Sequence, residues 1–224
     1  MPKRALILDL DGTLIDSIPC WIRAFHETLL AYGVEMDEAA FVSRIYQRNK
    51  HLKHVLEAHD LLDQHEAFRK ARDTRYVELL RSDAAWLPGA EAFLAEVASP
   101  STLGIVTNSW QIYVDALEAR FSIRNRVGCL LSLDAFGPPG KPDPKGLLDA
   151  AALLSAEPAA CAYLGDQIHD MTAAKAAGMQ AWLIHSSTTP AEAAGHADRA
   201  FESLAEVQAA WRAAPDAPAG ENRS

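Results

Sequence analysis

Four small clusters of acidic, hydroxyl and basic residues punctuate the 224-residue chain, each following a short apolar run. The first is the most informative. Ala5–Leu8 is followed by Asp9-Leu10-Asp11-Gly12-Thr13-Leu14, with Asp16-Ser17 close behind. A short apolar run bounded by a glycine turn reads as a buried strand. Two carboxylates therefore arrive where a strand ends, the edge at which open α/β sheets bind ligands. Two acids one residue apart can share a divalent cation such as Mg2+ and divide two tasks: attack on phosphorus and movement of a proton. Gly12 lets the backbone turn tightly between them and the next segment. Taken alone, Asp-x-Asp-Gly would serve equally well as a strand-ending turn.

Three further clusters follow later apolar runs. Behind Gly104-Ile105-Val106 come Thr107-Asn108-Ser109, a hydroxyl and backbone N–H groups at a helix start, which suit an anion or a simple helix cap. Behind Cys129–Leu133 lies Gly140-Lys141-Pro142-Asp143-Pro144, where a lysine held between turn residues could neutralise a phosphoryl group or be an ordinary loop lysine. Behind Cys161–Leu164 comes Gly165-Asp166-Gln167-Ile168-His169-Asp170-Met171. Asp166 leaves the strand end, and Asp170, four residues on, shares its helix face. Such a pair suits Mg2+, although acids also favour a helix N-terminus by themselves.

The elements that must position these clusters alternate. Strand-like runs at Ala5–Leu8, Thr102–Val106, Cys129–Leu133, Cys161–Leu164 and Ala181–Ile184 are separated by helical stretches near 89–98, 109–121, 144–155 and 168–178. That order predicts a parallel sheet with helices on both faces. Ala200-Phe201 and Ser203–Trp211 add an edge strand and a closing helix. Residues 17–86 carry no strand signal. Ser17 is expected to cap a helix that ends before Gly33, Asp37-Glu38 to open a second, Lys50–Ala58 to form a third, and Asp63–Arg81 to form a long one laced by Glu66/Lys70 and Arg69/Asp73 pairs. This stretch holds ten Lys/Arg against eleven Asp/Glu, whereas the remainder holds eleven against nineteen, so the middle is compositionally distinct. The expected fold class is α/β: a Rossmann-like parallel-sheet core, 1–16 and 87–211, with an inserted all-helical cap domain, 17–86, and a disordered tail, 212–224.

Composition narrows the partners. Hydrophobic residues make up 49% of the chain, enough for a sizeable core, and a net charge of −9 argues against nucleic acid. No apolar run is long enough to cross a bilayer, and Asp9 and Asp11 interrupt the only early apolar stretch, so neither membrane nor export signal is expected and the cytoplasm is the expected location. Cys20, Cys129 and Cys161 have no paired or metal-binding spacing, and a catalytic role for Cys20 lacks a partner base.

The order acid pair, Thr-Asn, Lys, acid pair, each behind an apolar strand, closely resembles the haloacid dehalogenase (HAD) superfamily. The matching stretches are LILDLDGTLIDS (6–17), GIVTNS (104–109), GKPDP (140–144) and YLGDQIHDMTAAKAAGM (163–179). The helical insert is similar to the type-1 cap of the phosphoglycolate-phosphatase-like branch, and the resemblance covers about residues 4–210. It implies that Asp9 is the nucleophile and a Mg2+ ligand. It implies that Asp11 is the acid/base and lends Mg2+ its backbone carbonyl. Thr107 and the Asn108 backbone would hold phosphate oxygens, Lys141 would steady Asp9 and the phosphate, Asp166 would bind Mg2+, and Asp170 would support the metal site. Gln167 departs from the Ser that many relatives carry there.

The activity so implied is Mg2+-dependent hydrolysis of a small phosphorylated metabolite through an aspartyl-phosphate, by a monomer or homodimer. A phosphomutase is similar chemistry, but 17–21 and His26 match its early cap positions poorly. A phosphonate C–P hydrolase would use a cap lysine such as Lys50 or Lys53. Such relatives and the dehalogenases lack the second acid, here present as Asp11. A non-catalytic phospho-ligand regulator would be expected to have lost Asp9 or Asp11, and a phospho-receiver domain has no helical insert. In the cap, Arg44–His54 (RIYQRNKHLKH) contains no acid. It is a solvated basic face or a grip for a second anionic group on the substrate, with Arg48 and Lys50 as the specificity candidates.

Overall fold

A computed structural model describes residues 3–46 and 52–213. In chain order, β1 (Leu6–Leu8) leads through a tight turn to β2 (Ile15–Asp16) and then to helices α1 (Ile18–Ala31), α2 (Glu38–Phe41), α3 (Leu52–Glu57) and α4 (His65–Ser82). β3 (Ala85–Trp86) returns the chain to α5 (Ala90–Glu96), β4 (Leu103–Val106), α6 (Gln111–Phe121), β5 (Cys129–Leu131), α7 (Leu133–Phe136) and α8 (Lys145–Leu153). The last elements are β6 (Ala162–Gly165), α9 (Ile168–Ala176), β7 (Gln180–Ile184), β8 (Arg199–Phe201) and α10 (Leu204–Ala213).

Six strands form one parallel sheet in the order β5-β4-β1-β6-β7-β8. β1 sits between β4 and β6, with Leu8 level with Ile105 on one side and Leu164 on the other. Its residues alternate between faces as a strand must. Leu6 and Leu8 join a core with α5, α6 and α10, while Ile7 joins a second core with α7, α8 and α9. A third apolar cluster, including Phe25, Leu29, Phe41, Leu56 and Phe68, lies wholly among the helices between β2 and β3. Among the described residues no helix is long and apolar enough to cross a membrane.

Five sequence expectations are corrected. Ala85–Trp86, inside the span read as strand-free, pairs antiparallel with Ile15–Asp16; a two-residue strand carries no periodicity to read. Ser17 does not cap α1. Its own backbone is already helical, and its hydroxyl donates to Asp11 Oδ1 at 2.5 Å. The run Cys129–Leu133 divides, because the strand stops at Leu131 and Leu133 opens α7. On α4, Arg69 meets Asp73 at 3.5 Å as expected, but Glu66 turns to Arg69 at 3.0 Å instead of to Lys70. Helix α10 extends to Ala213, two residues into the expected tail; 214–224 lie outside the described residues.

The end of β6 leaves no room for a side chain. A Cβ on Gly165 would stand 2.5 Å from the Asp170 carboxyl carbon. Gly165→Ala should therefore cost about 1–3 kcal/mol of stability, read as a lower midpoint in chemical denaturation. A midpoint equal to wild type would contradict this packing.

Candidate active site

The sheet order sets the geometry of the site. Crossovers run from β1 through β4 to β5 on one side, and then through β6, β7 and β8 on the other. The strand ends on either side of β1 form the crevice where such sheets bind ligands. Asp9, Thr107 and Asp166 leave β1, β4 and β6 at that edge.

Lys141 ties these ends together. Its ammonium donates to Asp9 Oδ1 at 2.7 Å, Asp170 Oδ1 at 2.7 Å and the Tyr163 hydroxyl at 2.8 Å, so all three of its protons are used. Tyr163 passes its own proton to the Val106 carbonyl at 2.9 Å. The side chains of Lys141 and Asp170 are sealed from solvent, and that of Asp9 is nearly so. The Lys141 backbone is clamped by the Asn108 side chain, which accepts from Lys141 N at 2.8 Å and donates to Lys141 O at 3.1 Å. Burial alone would lower the lysine pKa, but Asp170 and Asp9 prevail and hold it well above the usual ammonium value. Asp170, which also accepts from the Gln167 N–H at 3.0 Å, is held low despite its burial, chiefly by Lys141. Burial pushes Asp9 up, with Lys141 opposing and the neighbouring carboxylates adding to the rise.

Asp11 sits in a cage of hydroxyls. Ser17 reaches Oδ1, while Thr107 at 3.1 Å and Ser109 at 2.7 Å reach Oδ2. The Thr107 hydroxyl, expected to face phosphate, is thus committed to Asp11 here, and it also accepts from Ser109 N at 3.0 Å. Sequence assigns neither Ser17 nor Ser109 a role at the site. For Ser17 the signal is its place close behind Asp11, and for Ser109 its place in the cluster behind β4.

Asp9, Asp166 and Asp170 each bring a carboxylate oxygen within 4.8 Å of the others. With all three carboxyls ionised, one ammonium would leave an excess of two negative charges, the charge of a divalent cation. Asp166 Oδ1 is buried with no hydrogen-bond partner. Burial, then the neighbouring Asp170, pushes the Asp166 carboxyl up to about 7. An orphaned, buried carboxylate oxygen inside an all-oxygen donor set fits a hard divalent cation.

A cleft of about 970 Å3 opens onto Asp9, Asp11, Lys141 and Asp166. Its opposite wall comes from the helices: Ile18 and Trp21 of α1, with Arg72 and Tyr76 of α4. Arg72 stacks over Trp21 at 4.5 Å from the ring centre and bonds Asp73. It is the cationic side chain that the helical wall contributes among the described residues, and its place in a helix packed with charge pairs hid it in the sequence. Arg48 and Lys50, the expected specificity residues, lie outside the described residues. Cys20 is buried against Leu79 O and pushed up to about 11, chiefly by burial, which makes it a poor nucleophile.

Comparison with known proteins follows the same lines. Residues 6–184 match the family model of haloacid dehalogenase-like hydrolases. The chain belongs to that family. A phosphoglycolate phosphatase of Xanthomonas campestris is 30% identical, with 79% of this chain and 80% of that protein aligned. Protein CbbY of Rhodobacter capsulatus is 31% identical over 97% of this hydrolase and all of that protein. Among solved structures, CbbY of Rhodobacter sphaeroides in complex with phosphate matches with a TM-score of 0.73 at 26% identity, covering 92% of this chain and 96% of that one. A HAD family hydrolase of Deinococcus radiodurans shares the fold with a TM-score of 0.75 at 23% identity, covering 93% and 95%.

The raised Asp166 carboxyl would make cation binding at this cluster pH-dependent. A carboxyl held near 7 would have to lose its proton before it could ligate, so binding there would release a proton. Affinity for Mg2+, measured by titration calorimetry, should be full above about pH 8 and fall progressively below pH 7. A constant affinity from pH 6 to 8 would contradict this reading of Asp166.

Proposed function

We propose that this hydrolase is a Mg2+-dependent phosphatase that cleaves a small phosphorylated metabolite through an aspartyl-phosphate on Asp9. The observation that carries the reading is the Lys141 bridge at the floor of the cleft: a buried ammonium 2.7 Å from Asp9 Oδ1 holds a carboxylate where a phosphoryl group can enter. The phosphatase relatives and the family support it.

In the proposed reaction an Asp9 oxygen attacks phosphorus as the bond to the leaving oxygen breaks. Asp11 in its protonated form gives its proton to that oxygen, and the alcohol departs. Asp11 then takes a proton from water as the water oxygen attacks the phosphorus of the acyl phosphate. The bond to Asp9 breaks, phosphate leaves, and both acids return to their starting states. Lys141 offsets the charge that accumulates when an anionic carboxylate meets an anionic substrate. Thr107 and the Asn108 backbone orient phosphate oxygens, the hydroxyl turning from Asp11 to do so. Asp9, the Asp11 carbonyl and Asp166 would hold Mg2+, with Asp170 supporting them. When bound, the cation supplies positive charge to the phosphoryl oxygens.

The helices of 17–86 act in this reading as a cap joined to the 1–16 and 87–211 core through the β2–β3 ribbon. The cap's aromatic wall and Arg72 face the part of the substrate that does not react. Arg48 and Lys50 stay as proposed contacts to a second anionic group. Asp11 favours ester hydrolysis over C–P cleavage or dehalogenation, because an alkoxide leaving group needs a proton.

Asp9→Asn should abolish turnover, and EDTA should do the same to wild type until Mg2+ is restored. Asp11→Asn should cost about 10²–10⁴-fold in kcat on alkyl phosphates and clearly less on an activated aryl phosphate. Both are read in a phosphate-release assay across a panel of phosphorylated metabolites. Appreciable turnover by Asp9→Asn would exclude Asp9 as nucleophile. Asp166→Ala should weaken Mg2+ affinity more than Asp170→Ala, because both Asp170 oxygens already serve Lys141 and the Gln167 N–H. The reverse order would overturn the ranking.

A further inference from the structure

Asp166 is reached by two donors that the phosphatase chemistry does not use. Its Oδ2 accepts from Gln167 Nε2 at 2.7 Å and from Ser186 Oγ at 3.0 Å, while its Oδ1 is buried without a partner. We infer that Gln167 and Ser186 are positioning residues that tie back one oxygen of Asp166 and so leave the other for the cation. This rests on the proposed role of Asp166 as a Mg2+ ligand.

The hydrogen-bond accounting supports a purpose-built bracket. A carboxylate turns readily about its last torsion, which is broad and two-fold, so an isolated Asp166 would present its oxygens in many orientations. Gln167 must face it with the amide nitrogen, since its carbonyl oxygen would repel an anion. Ser186 lies just beyond β7, and its loop is tied to place its hydroxyl. Ser186 N donates to Thr189 Oγ1 at 2.9 Å, and Thr188 N donates to Ser186 Oγ at 3.2 Å. The Thr188 N–H and the Thr188 or Thr189 hydroxyl, both hydroxyls 3.1 Å away, can serve the two lone pairs of Ser186 Oγ, which leaves its proton for Asp166. The third wall is Gly12: a Cβ there would lie 2.9 Å from Asp166 Oδ2. Three separate segments, from the turns after β1, β6 and β7, thus converge on one carboxylate oxygen. Partners of this kind, one step removed from a metal, govern its affinity by orienting the ligand. The bracket also gives Gln167 a task suited to a long amide side chain. The segment from Ser187 to Glu192, which follows Ser186, lines the same cleft, so the loop that bounds the substrate space also sets the metal ligand.

The test is a Mg2+ titration of the full-length protein, followed by calorimetry and by the metal-dependent rise in Tm. Ser186→Ala and Gln167→Met should each raise the Kd for Mg2+ about tenfold, while the metal-free protein loses only the Tm expected for one hydrogen-bonding side chain and still unfolds in one cooperative transition. Ser186→Thr, which keeps the hydroxyl, should bind Mg2+ as wild type does. The two positions lie on different elements, so a folding failure of one variant leaves the other to decide. Wild-type Mg2+ affinity in both Ser186→Ala and Gln167→Met would overturn the inference alone. A Ser186→Thr as weak as Ser186→Ala would also overturn it, assigning Ser186 to loop packing. Wild-type protein that binds no Mg2+ would instead remove the proposed cation site, and this bracket with it.

Discussion

One buried ammonium organises this protein. Lys141 reaches Asp9 behind β1, Tyr163 on β6 and Asp170 on α9, and each of its protons has its own acceptor. Taking three charged groups out of water is costly unless they are paired and fully hydrogen-bonded, and removing one partner of such a set costs about 3–5 kcal/mol. The loop from α7 to α8 is therefore anchored to the sheet by the same contact that opposes the burial-driven rise of the Asp9 pKa. Asn108, from the turn after β4, grips the backbone of Lys141 and fixes where that ammonium can stand. The arrangement remains short of positive charge, with three carboxylates around one lysine, and the partnerless oxygen of Asp166 marks the deficit.

Chain topology makes this convergence possible. Placing β1 between β4 and β6 brings residues about a hundred positions apart to one edge of the sheet without long loops. Alternating side chains on β1 bind both helical layers, so the strand that carries Asp9 and Asp11 is fixed on both faces. Opposite it, the helices between β2 and β3 have an apolar cluster of their own and present Trp21, Arg72 and Tyr76 to the cleft. Contact between the two halves is mixed: Tyr76 packs against Tyr113 at 4.8 Å and Trp86 against Phe121 at 5.0 Å, Leu79 and Leu80 of α4 join the core that holds Leu6 and Leu8, and Arg120 of α6 donates to the Arg81 and Ser82 carbonyls at 2.9 and 2.6 Å. A small two-stranded ribbon carries the chain across in both directions.

The strands of the sheet were legible because buried parallel strands are continuous apolar runs. The polar clusters behind them placed Asp9, Lys141, Asp166 and Asp170 correctly at one edge, since strand order and local spacing suffice for that. Features set by tertiary contact were not legible. The β2–β3 ribbon is too short to show a period. Ser17 sits where a helix cap is expected and in fact serves Asp11, because a stronger acceptor lies within reach. Tyr163 and Ser186 look like an ordinary strand residue and an ordinary loop residue, and only the folded chain brings them to Lys141 and Asp166. Arg72 reads as one of many charges on α4 until Trp21 and the cleft surround it. Specific roles came from the family resemblance, because residue type and spacing do not separate a ligand from a nucleophile.

The central claim is that Asp9, held by Lys141, receives the phosphoryl group. Wild-type protein mixed with Mg2+ and a turning-over substrate, quenched in acid and digested, reports this directly by mass spectrometry. The account predicts a transient phosphoryl group on the peptide carrying Asp9, which borohydride reduction locates at that side chain. Phosphorylation at any other residue, or phosphate release at full rate with no phosphorylated enzyme under conditions that slow its hydrolysis, would contradict it.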